Sequence, residues 1–143
     1  MEYSQLGRTG LKVSKICLGT MTFGNQCDEK TAHAILDKAQ NEGITFIDTA
    51  DMYPASGKET IGDTERIIGR WLKGKREEIV LATKFWAPMG SLPWQMGSSR
   101  RHIFDAVDAS LERLQTDFID LYQVHFPDYE TPIDETIGAL DDL

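Results

Sequence analysis

A chain of 143 residues can form one domain that buries about two-thirds of its unfolded surface in a hydrophobic core. Hydrophobic residues make up 41% and charged residues 27%, which excludes the disordered class. Fifteen basic against 23 acidic residues give a net charge of −8, and no predicted helix carries a basic stripe, so a nucleic-acid partner is not expected.

The opening run MEYSQLGRTGLKVSKI places Arg8, Thr9 and Gly10 between two short alternating stretches, the pattern of a β-hairpin. Its charges Glu2, Arg8, Lys12 and Lys15 leave no apolar core of signal-peptide length, and no apolar run in the chain approaches a membrane span. A cytoplasmic protein without membrane contact is expected. The two cysteines, Cys17 and Cys27, lack C-x-x-C spacing, and Cys17 in the apolar run ICLGT reads as a buried thiol. Neither a disulfide nor a metal site is indicated.

From there one pattern returns four times. Strand-like runs KICLGT (15–20), ITFIDTA (44–50), EIVLATK (78–84) and FIDLYQVH (118–125) alternate with helical patterns of period 3.6, which predicts four βα units. The first helix puts Ala32, Ile35, Leu36 and Ala39 on one face and stops at Gly43. The second uses Ile68, Trp71 and Leu72 and ends at Gly74. The third is capped by Ser98 or Ser99, lines one face with Ile103, Val107, Leu111 and Leu114, and turns around Thr116 and Asp117. In YETPIDETIGALDDL, Thr131 reads as N-cap, Pro132 as first-turn proline and Asp134 as capping-box acid, with Ile133, Ile137 and Leu140 on one face.

Strands apolar along nearly their whole length belong to a parallel sheet, because helical crossovers cover it and run right-handed. An open dinucleotide-binding sheet should carry G-x-G-x-x-G after its first strand, but that position reads GTMTFGNQ, with Gly19 and Gly24 too far apart. The expected fold class is therefore α/β, a TIM (β/α)8 barrel. Since such a barrel needs roughly 250 residues, the chain is expected to cover the hairpin and about the first four βα units, as a single domain over 1–143.

The polar residues fit that frame. Asp48, Lys84 and His125 end the second, third and fourth strand regions, at the mouth where barrel enzymes do their chemistry, and Tyr53 follows closely. Taken singly, each has an ordinary explanation as cap, solvated cation, loop histidine or packing tyrosine. As a set they suit carbonyl reduction: an ammonium favours an adjacent phenolate, a buried lysine needs a counter-ion such as Asp48, and a histidine can donate to a carbonyl oxygen.

In order and spacing, GTMTFG, FIDTADMYP, ATKF and DLYQVHFPD resemble the aldo-keto reductase family, near its bacterial branch and the potassium-channel β-subunits. The likeness covers the whole chain, including a hairpin that in the family closes the bottom of the barrel. It implies an eight-unit barrel that binds NADPH and transfers a hydride to a small aldehyde or ketone. Tyr53 is then the general acid, Lys84 and Asp48 tune it, and His125 orients the carbonyl.

By the same likeness Gly19, Thr20 and Met21 contact the nicotinamide and ribose, Asp48 is shared, and Gln26 is a further cofactor residue. The substrate pocket takes Tyr53, His125 and Trp86. At Met21 the channel subunits have tryptophan. Family members also run on past IGALDDL, so the chain is expected to be the N-terminal half of a reductase and inactive alone. Two alternatives stand beside that reading: a half-barrel assembly unit that self-associates or pairs with a missing C-terminal half, and a non-catalytic cofactor-sensing module.

Overall fold

The computed structural model describes residues 1–55 and 60–143. Strands β1 (Tyr3–Gln5) and β2 (Lys12–Ser14) pair antiparallel, as the hairpin pattern predicts. The Ser14 hydroxyl accepts from the Thr45 and Phe46 backbone N–H groups, and the Tyr3 hydroxyl donates to the Gly43 carbonyl. Those bonds anchor the hairpin to the amino end of the next strand but one.

The remaining strands, β3 (Cys17–Gly19), β4 (Phe46–Asp48), β5 (Val80–Phe85) and β6 (Leu121–Val124), form one parallel sheet in the order β3-β4-β5-β6. They are shorter than the apolar runs suggest. Arg76–Glu78, for example, forms a 3-10 turn before β5. The register aligns Gly19 with Asp48, Asp48 with Ala82, and Lys84 with Gln123. Alternation along each strand then sends Leu18, Ile47, Leu81, Thr83, Phe85 and Tyr122 to one face and Cys17, Gly19, Asp48, Lys84 and Gln123 to the other.

Helices α1 (Glu29–Asn41), α2 (Asp63–Leu72) and α3 (Arg100–Leu114) cover the first of these faces. Leu36, Ile47, Ile68, Trp71, Leu72, Leu81 and Leu114 pack there in a single cluster, each at most 5% exposed. The caps explain where the helices begin and end. Asp28 accepts from the Thr31 N–H at 2.8 Å at the start of α1, and Ser99, not Ser98, caps α3. Gly43 and Gly74 take left-handed φ values of +80° just past α1 and α2. Gly69 marks the α2–α3 crossing, since a Cβ there would lie 2.4 Å from the Arg113 carbonyl oxygen.

Two helix-face expectations fail. Ile35 is 39% exposed, because Ala32, Leu36 and Ala39 suffice to seat α1. In α4 (Ile133–Asp141) the chain packs on α3 through Thr136 and Ala139 near Phe85 and Ile103, so Ile133 and Ile137 are 66% and 58% exposed. Its N-cap is Pro132 without a side-chain bond. Thr131 instead donates its hydroxyl to Asp128, a loop carboxylate that also takes the Glu130 and Ser98 N–H groups.

Cys17 also departs from its reading as a buried thiol. It is exposed, on the sheet face that no helix covers. Partial burial of its sulfur, and then the Asp48 carboxylate, push the thiol up to about 11.

Candidate active site

The strand order and register bring the carboxyl ends of β3 to β6 to one level. Backbone bonds extend the ladder past them: Thr20 N–H donates to Asp48, Thr49 to Ala82, Asp51 to Lys84 and His125 to Phe85. Alternation beyond β4 therefore keeps Asp48 on the uncovered face and turns Thr49 and Asp51 toward the helices.

On the uncovered face Lys84 Nζ donates to Asp48 Oδ2 at 2.5 Å and to the Thr49 carbonyl at 2.7 Å. The lysine side chain is 15% and the aspartate 26% exposed, so each charge has lost most of its water and depends on the other. Gln123 Nε2, two residues before His125 on the same face of β6, donates to the remaining oxygen of Asp48 at 3.3 Å. That glutamine went unnoticed in the sequence, although strand alternation with His125 points to it.

Tyr53 is 8% exposed and is fixed by its backbone, whose carbonyl accepts from the Gly62 and Thr64 N–H groups. The Lys84 ammonium lies 5.2 Å from the centre of its ring. Tyr53 Oη and His125 Nε2 stand 3.5 Å apart, with the rings edge to face. Burial and then the Lys84 charge push the His125 imidazole below its usual range, so it is neutral at pH 7. Asp48, Tyr53, Lys84 and His125 are thus brought together just past the carboxyl ends of the strands.

His125 stacks on Phe126 at 4.6 Å, and Phe126 meets Trp86 at 5.3 Å, which carries the site sideways to Trp86. Trp86 adopts φ +128°, a conformation costing a non-glycine residue on the order of 1–3 kcal/mol, and its carbonyl accepts from the Gly97 N–H. Beyond it the loops hold a cleft of about 660 Å³ lined by Trp86, Trp94, Met96, Pro127 and Tyr129. A small organic substrate would fit such an aromatic cleft.

The residues expected to hold a cofactor are less closely drawn together. Gly19 lies in register with Asp48 and has no atom within 4 Å of where a Cβ would stand, leaving a flat, open floor beside the carboxylate. Thr20 is fully buried, its hydroxyl donating to the Asp48 carbonyl, so it shapes that floor from beneath. Met21 is 54% exposed at its rim. Gln26 is exposed in the following turn, its N–H on the Thr22 carbonyl, and makes no side-chain bond to the four central residues. The floor fits the nicotinamide end of a dinucleotide.

A second polar group lies behind the site, on the helix-covered side. Glu65 of α2, with its side chain wholly buried, accepts from Thr83 Oγ1 at 2.6 Å and Arg113 Nε at 2.7 Å, and Arg113 also donates to Ser110. Asp51 is fully buried there, and neither of its carboxylate oxygens has a hydrogen-bond partner among the described residues. Burial, then the Glu65 charge, push its carboxyl up to about 7. The Tyr122 hydroxyl is likewise buried and unpartnered, and its pKa is raised by burial and by Asp51.

Among the described residues no group of three or more His, Cys, Asp and Glu side chains could hold a metal ion, and no helix is long and apolar enough to cross a membrane. The sequence profile of the aldo/keto reductase family matches residues 15–143. The chain is 51% identical to the oxidoreductase YrpG of Bacillus subtilis over 99% of its own length and 45% of that protein's. It is 43% identical to a probable voltage-gated potassium channel subunit beta of Arabidopsis thaliana, covering 98% of this chain and 42% of that one. Among solved structures it is similar to the aldo-keto reductase AKR11C1 from Bacillus halodurans in its holo form, with a TM-score of 0.85 and 42% identity over 100% of this chain and 46% of that one. It spans about half the length of the relatives it matches.

Proposed function

Because the chain belongs to the aldo/keto reductase family, we propose that it forms the catalytic half of an NADPH-dependent reductase of small aldehydes or ketones. The observation that carries this reading is the convergence of Tyr53, Lys84, Asp48 and His125 on one uncovered sheet face. On this reading the four strands are half of a (β/α)8 barrel, and the remaining length of the relatives supplies the other half. The protein works in the cytoplasm.

The chemistry supplied by bound NADPH is a hydride delivered to the carbonyl carbon. Gly19, Thr20, Met21 and Asp48 would hold its nicotinamide end, with Gln26 further out. The rest is done by this chain. His125, being neutral, donates one N–H to the substrate oxygen and orients it. Tyr53 stands where its hydroxyl reaches the same oxygen and gives it a proton as negative charge develops there. Lys84 faces the Tyr53 ring and favours the phenolate left behind, while Asp48 keeps the ammonium in place. Trp86 and the aromatic cleft beside it hold the body of the substrate.

In the full-length protein Tyr53→Phe should lower carbonyl reduction by roughly 10²–10⁴-fold and leave NADPH binding, read by fluorescence titration, unchanged. Turnover at the wild-type rate would remove Tyr53 from the role of acid. The 143 residues alone should be inactive, since half of the mouth and of the cofactor cleft is contributed by the other half-barrel. Light scattering on those residues should show self-association, because the uncovered sheet face and the exposed Ile133 and Ile137 seek cover.

A further inference from the structure

The site described so far does not use Asp51. This carboxyl is fully buried, between the sheet and the helices, three residues after Asp48 and two before Tyr53. Its backbone N–H holds the Lys84 carbonyl, so one short segment connects it to three of the four central residues.

The charges that face it come from every neighbouring element. Glu65 from α2, Lys84 from β5, and Arg113 from α3 act on Asp51, and Tyr122 from β6 senses Asp51, Glu65, Arg113 and Asp108. Arg113 is already committed to Glu65 and Ser110, and Lys84 to Asp48 and the Thr49 carbonyl. Two buried acids therefore share one guanidinium on the covered side of the sheet. An ionised Asp51 would have no cation bonded to its oxygens, with only the adjacent Met52 N–H and the Arg113 and Lys84 charges in its favour, a state that burial makes costly.

We propose that Asp51 is a positioning residue that holds the Asp48–Tyr53 segment in its working geometry only while its carboxyl carries a proton. In the protonated form it is a neutral group packed behind the sheet. On ionisation the carboxylate is drawn toward Arg113 or water, and the segment that sets Tyr53 against His125 moves with it. The reaction thereby gains an alkaline limit set behind the site, separate from the titration of the acid itself. Its cause is the unshared charge, and the pKa of about 7 places the limit in the neutral range.

This inference rests on the reductase reading for its kinetic arm, and a spectroscopic arm stands without it. In the full-length protein, kcat for carbonyl reduction should fall between about pH 6 and about pH 9, and the ratio of the two rates should approach one in Asp51→Asn. Infrared difference spectra of wild type against Asp51→Asn should show the carbonyl stretch of a protonated carboxylic acid at about pH 6, lost by about pH 9. Absence of that band, or equal pH profiles in the two proteins, overturns the proposal. Should neither protein reduce any carbonyl while the band is present and titrates, the reductase reading fails and the buried proton stands. Tyr53→Phe provides the reverse control, since it removes turnover and leaves the Asp51 band in place.

Discussion

Lys84 and Arg113 are both held by a carboxylate, on opposite sides of the same sheet. On the helix-covered side Glu65 is wholly buried and its two oxygens are taken by Thr83 and Arg113, so the pair is closed by hydrogen bonds among side chains. On the uncovered side the Asp48–Lys84 pair keeps 26% and 15% exposure, borrows a backbone carbonyl and Gln123, and faces Tyr53 and His125. The first arrangement has no room to change. The second presents its charge to whatever occupies the open face, which is what a site for a reacting carbonyl needs.

The comparison predicts that damage behind the sheet appears as lost stability and damage in front as lost rate. The largest stability effect should come from Arg113→Ala, which strands the Glu65 carboxylate in the core and should cost about 3–5 kcal/mol in denaturant unfolding. A loss below about 1 kcal/mol would mean that Glu65 finds water, and the two faces would differ less than described.

Asp51 should add a pH dependence of the opposite sense to an ordinary surface acid. Its folded pKa of about 7 lies above the unfolded value near 4, so the group is neutral in both states at lower pH and penalises the fold increasingly between about 4 and 7. Relative to wild type, Asp51→Asn should therefore gain stability over that window, on the order of a few kcal/mol, and no more above it. Thermal melts at several pH values would show it, and parallel melting curves would contradict it.

In front of the sheet, Lys84→Met removes the ammonium that faces Tyr53 and leaves Asp48 with Gln123. Turnover of the full-length protein should drop about 10²-fold, equivalent to roughly 3 kcal/mol in the barrier, with a smaller shift in stability than Arg113→Ala gives. The reverse ordering of stabilities would make the front pair structural. Smallest of all, Ser99→Ala removes only the cap bond to the His102 N–H at 3.3 Å and should cost about 1 kcal/mol in unfolding without touching the rate.

Much of this was legible in the residues. The hairpin, the alternation of strands and helices, the glycines past α1 and α2 and a serine cap on α3, at Ser98 or Ser99, all follow from local chemistry, and local chemistry is carried by neighbours in sequence. Asp48, Lys84 and His125 were legible for a related reason, since each sits at or near the end of a strand-like run, and Tyr53 follows the second run by a few residues. Gln123 was missed because a glutamine in an apolar run looks like an interruption until its neighbours at two-residue spacing are read together. Glu65 left a faint signal as an acid three residues before Ile68 on the buried side of α2, and its partner Arg113 lies 48 residues away.

What the sequence by itself determined was the order and kind of elements, and the family to which they belong. The tertiary structure alone decided which sheet face each side chain meets. Strands that are apolar throughout carry no mark of the side the helices will take, so Cys17 looked buried and proved exposed, and only the fold puts the Asp51 carboxyl behind the sheet. The same holds for α4, where Thr136 and Ala139 rather than the larger Ile133 and Ile137 meet α3. Burial depends on the partner that arrives, and that partner comes from a distant stretch of the chain.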